Sequence, residues 1–288
     1  MSVSLIIGVD GLIGSSLYQH LLNSKNGVIG TTKRKGKNVG DHLFLDLSNN
    51  IADWQFPKSI DTCVFCAGVT NLELCEENPS KTSAINVDAT LSIIEKLGKK
   101  DIHIIFLSSN LVFDGLKAFK KPDDELCPKT EYGRQKAMVE KSLKDYCSFY
   151  TIVRISKILY PNSPFFASWG ESLHNGEMIH PFNDKVISPI PLNFIVKVLK
   201  EIIDKSPTGI FQISGDCDIS YAQAALWGAE KLGYDLSLID PISVAQSSFF
   251  GHVPENTTLN IDRIVSELNM IPPSVRFSIE QAFPNNKL

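Results

Sequence analysis

Two groups of residues in this chain have the types and spacing for chemistry on a phosphate-bearing ligand. The first is Gly8-Val9-Asp10-Gly11-Leu12-Ile13-Gly14, a glycine-rich turn. Glycine is needed where a backbone turns sharply or comes close to a pyrophosphate, and where a helix packs tightly on a strand. A helix starting at such a turn offers free amides and a partial positive charge to phosphates. The second group is Tyr132-Gly133-Arg134-Gln135-Lys136, in which a phenol and an ammonium four residues apart share one face of a helix. That pattern alone is common on protein surfaces. It gains meaning because it follows a glycine turn and an apolar run ending in Ser108-Ser109.

These residues need a scaffold, and the first half of the chain supplies one. Apolar runs at 3–7, 28–30, 42–45, 62–66, 102–107 and 150–154 read as strands. Between them, stretches 12–23, 82–97 and 131–146 carry apolar residues at three- and four-residue spacing and read as helices. Such alternation predicts an α/β fold, a Rossmann-type doubly wound parallel sheet with right-handed crossovers. The glycine turn then falls directly between the first strand and first helix, where it marks a dinucleotide site. After Tyr160, Pro161, Pro164, Pro181, Pro189 and Pro191 interrupt the pattern. We therefore expect a Rossmann domain over 1–158 and a smaller C-terminal substrate-binding lobe over 159–288. Helices at 193–204 and 220–232 bracket a short strand at 209–213, and some of this region is expected to return to the first sheet.

Cofactor choice is read at the end of the second strand. An NAD site usually presents a carboxylate there for the ribose 2′-hydroxyl. Here the strand runs into Thr31-Thr32-Lys33-Arg34-Lys35, whose hydroxyls and cations suit a 2′-phosphate, so NADP (as NADPH) is the expected cofactor.

Composition limits the alternatives. With 288 residues, 43% of them hydrophobic, the chain can bury a full core. A net charge of -4 offers no basic field for nucleic acid. No apolar run approaches the roughly 18 residues of a membrane span, and Met1 to Gly8 is too short for a signal-peptide core, so no membrane partner and a cytoplasmic location are expected. The six cysteines read as reduced thiols. Cys63 and Cys66 form a C-x-x-C, but on a strand residues three apart face opposite sides, which disfavours a redox or zinc site. No other grouping of His, Cys, Asp and Glu argues for a metal. A G-x-S-x-G hydrolase signature is missing as well.

Taken together, the glycine turn, Ser109, Tyr132 and Lys136 resemble the short-chain dehydrogenase/reductase superfamily, which uses Ser, Tyr and Lys in that chain order. The match is closer to its extended branch containing dTDP-4-dehydrorhamnose reductase. Segments carrying this likeness are Ser108-Ser109-Asn110-Leu111-Val112-Phe113-Asp114-Gly115, Tyr132 to Lys136, Cys66-Ala67-Gly68, Ile85 to Ala89, Val153 to Ser156, Ile187 to Pro189 and Thr208 to Ser214. The resemblance implies that Ser109 holds a substrate carbonyl oxygen, Tyr132 protonates it, and hydride comes from the nicotinamide. Lys136 would bond the nicotinamide ribose and, as a neighbouring ammonium, lower the phenol's pKa from its ordinary value of about 10. Around the cofactor the resemblance implies Gly8, Asp10, Gly11, Leu12, Ile13 and Gly14 at the pyrophosphate, with Thr31, Lys33 and Arg34 at the 2′-phosphate. Asp46 and Leu47 match the position beside adenine; Cys66, Ala67, Gly68, Asn86 and Ser108 line the rest. Asn86 has a simpler alternative role, tying a helix to the sheet.

The implied activity is NADPH-dependent reduction of a keto group on a nucleotide-activated sugar, of the dTDP-4-keto-6-deoxysugar type. Relatives often dimerise, which puts a homodimer among the expected assemblies. Departures fall at sugar-facing positions, where Asn110, Leu111 and Lys157 replace the branch's usual acidic and aromatic residues. Asn110-Leu111 also lacks the acid-base pair a 4,6-dehydratase needs. Two alternatives stay open: a nucleotide-sugar epimerase, and a non-catalytic regulatory subunit resembling the methionine adenosyltransferase β subunit. His174 and His180 are further candidates for an acid or a diphosphate contact.

Overall fold

The computed structural model describes residues 2–24, 26–35, 42–49, 51–247 and 251–283. The chain opens with β1 (Val3–Ile7), α1 (Leu12–Asn23), β2 (Gly27–Thr32), β3 (Leu43–Phe44) and β4 (Thr62–Phe65). Short helices α2 (Leu72–Glu77) and α3 (Pro79–Ser83) lead through a π-helical segment, Ala84–Ala89, into α4 (Thr90–Gly98). Next come β5 (His103–Ser109), a 3-10 turn at Asn110–Val112, α5 (Glu131–Tyr146) and β6 (Tyr150–Ile155). The remainder contributes β7 (Lys157–Leu159), α6 (Pro164–His174), β8 (Val186–Ile187), β9 (Pro189–Pro191), α7 (Leu192–Lys205), β10 (Gly209–Ile213), β11 (Ile219–Ser220), α8 (Tyr221–Leu232), α9 (Asp262–Ser266) and α10 (Val275–Ala282).

Seven strands form one sheet in the order β10-β6-β5-β4-β1-β2-β3. The order reverses direction at β1, the switch point that defines a doubly wound Rossmann-type sheet. Parallel register pairs Ile7 with Thr31 and with Phe65, so the ends of β1, β2 and β4 lie side by side. Strand β5 is buried along its whole length, as expected for a parallel strand covered on both faces. Together with β1, β4 and β6 it builds a core from Leu5, Ile7, Phe65, Ile104, Phe106 and Ile152, against which Ile93, Val139 and Leu143 of the helices pack.

The chain divides into two compact units that interleave in sequence. One comprises Met1–Phe113, Leu126–Arg154 and Val196–Phe211; the other Asp114–Glu125, Ile155–Ile195 and Gln212–Leu288. The second unit has its own core, including Leu159, Phe166, Trp169, Ala225, Ile279 and Phe283. Helix α6 lies in the proline-rich region where the sequence pattern had suggested only interruptions. Pro164 occupies the first turn of that helix, where its missing N–H costs nothing.

The helix expected over 82–97 is divided. Its π-helical portion widens one turn around the buried Asn86.

Candidate active site

The three glycines of the first turn have different structural duties. Gly8 adopts φ +94°, a left-handed conformation, and a Cβ there would lie 2.8 Å from the Ala67 backbone. At Gly14 a Cβ would fall 2.1 Å from the Gly8 carbonyl oxygen, so only glycine lets α1 approach the turn. Gly11 is unlike both: a Cβ there meets nothing nearer than the Gly8 oxygen at 3.7 Å. It is exposed at the N-cap of α1, with no side-chain cap and no acidic residue in the first turn. Free amides and an open backbone at this point suit a pyrophosphate. Leu12 and Ile13 follow as the first helical residues.

The next strands add their ends to this turn. Thr31 was expected at a 2′-phosphate, but its hydroxyl is buried and accepts the Gly8 N–H at 3.1 Å. Side chains alternate along β2, and that of Thr31 faces the turn. Lys33 and Arg34 are exposed just beyond the strand. Asp46 caps its own turn: Oδ1 accepts from Ser48 N (3.0 Å) and Ser48 Oγ (2.7 Å). These bonds hold its carboxyl below the ordinary carboxylate value. Leu47 is buried behind it. Cys66 N donates to Ile7 O at 2.9 Å, joining the β4 end to β1. Burial pushes the Cys66 thiol up to about 12, and Cys63 also rises through burial.

Asn86 is fully engaged within the protein. Its Oδ1 accepts from Val69 N (2.7 Å), while Nδ2 donates to Val69 O (2.9 Å) and Gln135 Oε1 (2.7 Å). It therefore braces the loop after Gly68 against α5, the tying role. Gln135 donates onward to Thr82 Oγ1 at 2.9 Å. The sequence pattern had not singled out Gln135 as a bracing residue.

The β5 end and the α5 start form the other half of the site. Thr130 caps α5 by accepting the Gly133 N–H at 3.1 Å. Gly133 has no room for a side chain: a Cβ would sit 2.1 Å from the Leu111 carbonyl oxygen. This contact seats the helix carrying Tyr132 and Lys136 against the turn that follows Ser109. Gly133 is thus a positioning residue, hidden in the sequence as the variable second letter of Y-x-x-x-K. The Ser109 hydroxyl caps the 3-10 turn, accepting the Leu111 N–H at 3.2 Å. Ser108, expected along the cofactor, instead donates its hydroxyl to Glu140 Oε1 at 2.5 Å. Glu140 also accepts from Arg154 Nη2 at 2.7 Å, in a pair whose side chains are each only 2% exposed.

Lys136 Nζ donates to Leu107 O at 2.8 Å and lies 5.7 Å from the Tyr132 ring centroid. Desolvation lowers this ammonium to about 8. Tyr132 departs from expectation: burial, with a smaller contribution from Cys75, raises the phenol above its ordinary value. The Lys136 ammonium is turned to a carbonyl, and desolvation of the phenol dominates. A raised value keeps the phenol protonated, the state a proton donor requires.

His180 pairs with Asp240 (Nδ1 to Oδ2, 3.1 Å), and both it and His174 are exposed. Among the described residues, no group of three or more His, Cys, Asp and Glu could hold a metal ion, and no helix is long and apolar enough to cross a membrane.

The seven-stranded doubly wound sheet, with a glycine turn between its first strand and first helix, defines an α/β protein of Rossmann type. A family model described as "RmlD substrate binding domain" matches residues 1–287, and the chain belongs to that family. It is 23% identical to "Probable low-salt glycan biosynthesis reductase Agl14" of Haloferax volcanii, over 96% of this chain and 97% of the relative. It is also 26% identical to methionine adenosyltransferase 2 subunit beta of Bos taurus, over 90% of this chain and 80% of that protein. Among solved structures, dTDP-4-dehydrorhamnose reductase from Bacillus anthracis in complex with NADP superposes with a TM-score of 0.82 at 18% identity, covering 98% of this chain and 99% of the other.

Proposed function

We propose that this protein is an NADPH-dependent reductase acting on a keto group of a nucleotide-activated sugar, of the dTDP-4-keto-6-deoxysugar type. The observation that carries the reading is the division of labour among Gly8, Gly11 and Gly14. Two are required by the fold itself, and the third is left open at an uncapped helix N-terminus. The dinucleotide would lie with its pyrophosphate at Gly11 to Ile13, its 2′-phosphate at Lys33 and Arg34, and its adenine beside Asp46 and Leu47. The turn of Cys66, Ala67 and Gly68 would run along its length.

When bound, the nicotinamide supplies the hydride. The Ser109 hydroxyl turns its O–H from Asn110 Oδ1, 3.4 Å away, to the substrate carbonyl oxygen while still accepting the Leu111 N–H, and Tyr132 delivers the proton to that oxygen. Lys136 would hold the nicotinamide ribose and stabilise the phenolate left after proton transfer. Asn86, Gln135 and Gly133 act one step back, by setting the position of α5.

The direct test is NADPH consumption against a panel of nucleotide-linked 4-keto sugars. Turnover with one or more is expected. The likeness to methionine adenosyltransferase 2 subunit beta favours a second reading, a non-catalytic regulatory subunit. Tight NADPH binding without turnover on any member of the panel would support that reading instead.

A further inference from the structure

Asp10 belongs to the glycine turn, yet its carboxylate does its bonding at the end of β2. Oδ2 accepts from Thr32 Oγ1 at 2.7 Å and from Lys33 N at 3.2 Å, while Oδ1 pairs with Arg34 Nε at 3.1 Å. This is the place where Rossmann proteins meet the adenosine ribose, with a carboxylate for a free 2′-hydroxyl or an arginine for a 2′-phosphate. Strand β2 itself ends without a carboxylate. The turn delivers one to the same point from 22 residues earlier in the chain.

The two partners are held unequally. The Asp10 side chain is 23% exposed and anchored by two donors besides Arg34; the Arg34 side chain is 70% exposed. Arg34 is therefore the mobile member, able to turn toward an incoming phosphate while Asp10 stays in place. A carboxylate that stays beside a 2′-phosphate opposes it electrostatically, and beside a 2′-hydroxyl it accepts a hydrogen bond.

We propose that Asp10 is a cofactor-selectivity residue, which accepts the ribose 2′-hydroxyl of NADH and restrains the preference for NADPH that Lys33 and Arg34 create. The inference rests on the dinucleotide reading above and adds that the site admits both nucleotides. With NADH, Asp10 keeps Arg34 and gains the hydroxyl. With NADPH, Arg34 leaves Asp10 for the phosphate, and that exchange weakens the net gain.

The experiment is titration of the full chain with NADPH and NADH separately, followed by calorimetry, for wild type, Asp10→Asn and Arg34→Ala. Wild type should bind both, NADPH more tightly. Asp10→Asn should tighten NADPH by about three- to tenfold and weaken NADH by a similar factor, because one charge is removed while the anchored shape is kept. The NADPH gain should shrink as salt is raised. Arg34→Ala should weaken NADPH and leave NADH nearly unchanged, since Asp10 accepts the hydroxyl whether or not Arg34 is present; this variant tests the pair even if Asp10→Asn misfolds. An unchanged NADPH-to-NADH ratio in folded Asp10→Asn, or equal weakening of both nucleotides, would overturn the proposal and leave Asp10 as a turn brace only. Failure of wild type to bind either nucleotide would overturn the dinucleotide reading itself.

Discussion

Replacing Gly11 and Gly14 separately should split cofactor binding from folding. At Gly14 a Cβ would stand 2.1 Å from the Gly8 oxygen and 3.0 Å from the Gly8 carbonyl carbon, both backbone atoms that cannot rotate away. Gly14→Ala must push α1 off the turn, an overpacking cost of about 1–3 kcal/mol. For a chain of this size that lowers Tm by roughly 2–4 °C per kcal/mol. At Gly11 the backbone has φ -86°, which any residue adopts, and the nearest atoms to a Cβ are 3.7 and 4.0 Å away. Gly11→Val should therefore fold with little change in Tm. Its branched side chain, however, projects over the free amides of α1. Losing two amide bonds to a charged pyrophosphate, at about 1.5 kcal/mol each, amounts to about 3 kcal/mol, or more than a hundredfold in NADPH Kd. Thermal melts and calorimetry on both variants give the four values needed. A normally folded Gly11→Val that binds NADPH as wild type does would refute the placement of the pyrophosphate.

Three other outcomes are expected. Tyr132→Phe should lower the rate of ketone reduction by a factor of about 10² to 10⁴ with NADPH affinity nearly unchanged, whereas Lys136→Ala should weaken both; steady-state kinetics with parallel NADPH titrations check this. Glu140→Ala removes the carboxylate that a buried guanidinium and the Ser108 hydroxyl share, so a loss of about 3–5 kcal/mol in denaturant unfolding is expected, and a change under 1 kcal/mol would contradict the burial of the pair. His103, packed beside Thr151 and Phe149, is lowered by desolvation to about 4. The unfolded chain then binds a proton that the folded one does not between pH 6.5 and about 4, so stability is full above that window and declines as pH falls through it. His103→Gln should flatten that part of the Tm-against-pH curve, and an unaltered slope would assign the acid sensitivity to other groups.

The parts of the site legible in the sequence were those written in local periodicity. Strand β1, helix α1 and helix α5 lie at 3–7, 12–23 and 131–146 as their apolar spacing requires, because neighbouring residues in one element share its geometry. Order along the chain then sufficed for the Rossmann sheet, since right-handed crossovers leave few ways to arrange these strands. The glycine turn after β1 and the shared helical face of Tyr132 and Lys136 followed from the same local rules.

What only the tertiary structure decided were contacts between segments far apart in sequence. Asp10 meets Arg34, Asn86 meets Gln135, and Glu140 joins Ser108 to Arg154. No periodicity encodes these pairs, because each depends on which strand ends the sheet order brings together. The same limit explains the hydroxyl of Thr31 turning to Gly8 and that of Ser108 to Glu140: residue type made both eligible for the cofactor, but burial chose a partner within the protein. Desolvation is likewise a property of the packed state. The phenol of Tyr132 is raised and the ammonium of Lys136 lowered by surroundings that their four-residue spacing could not reveal.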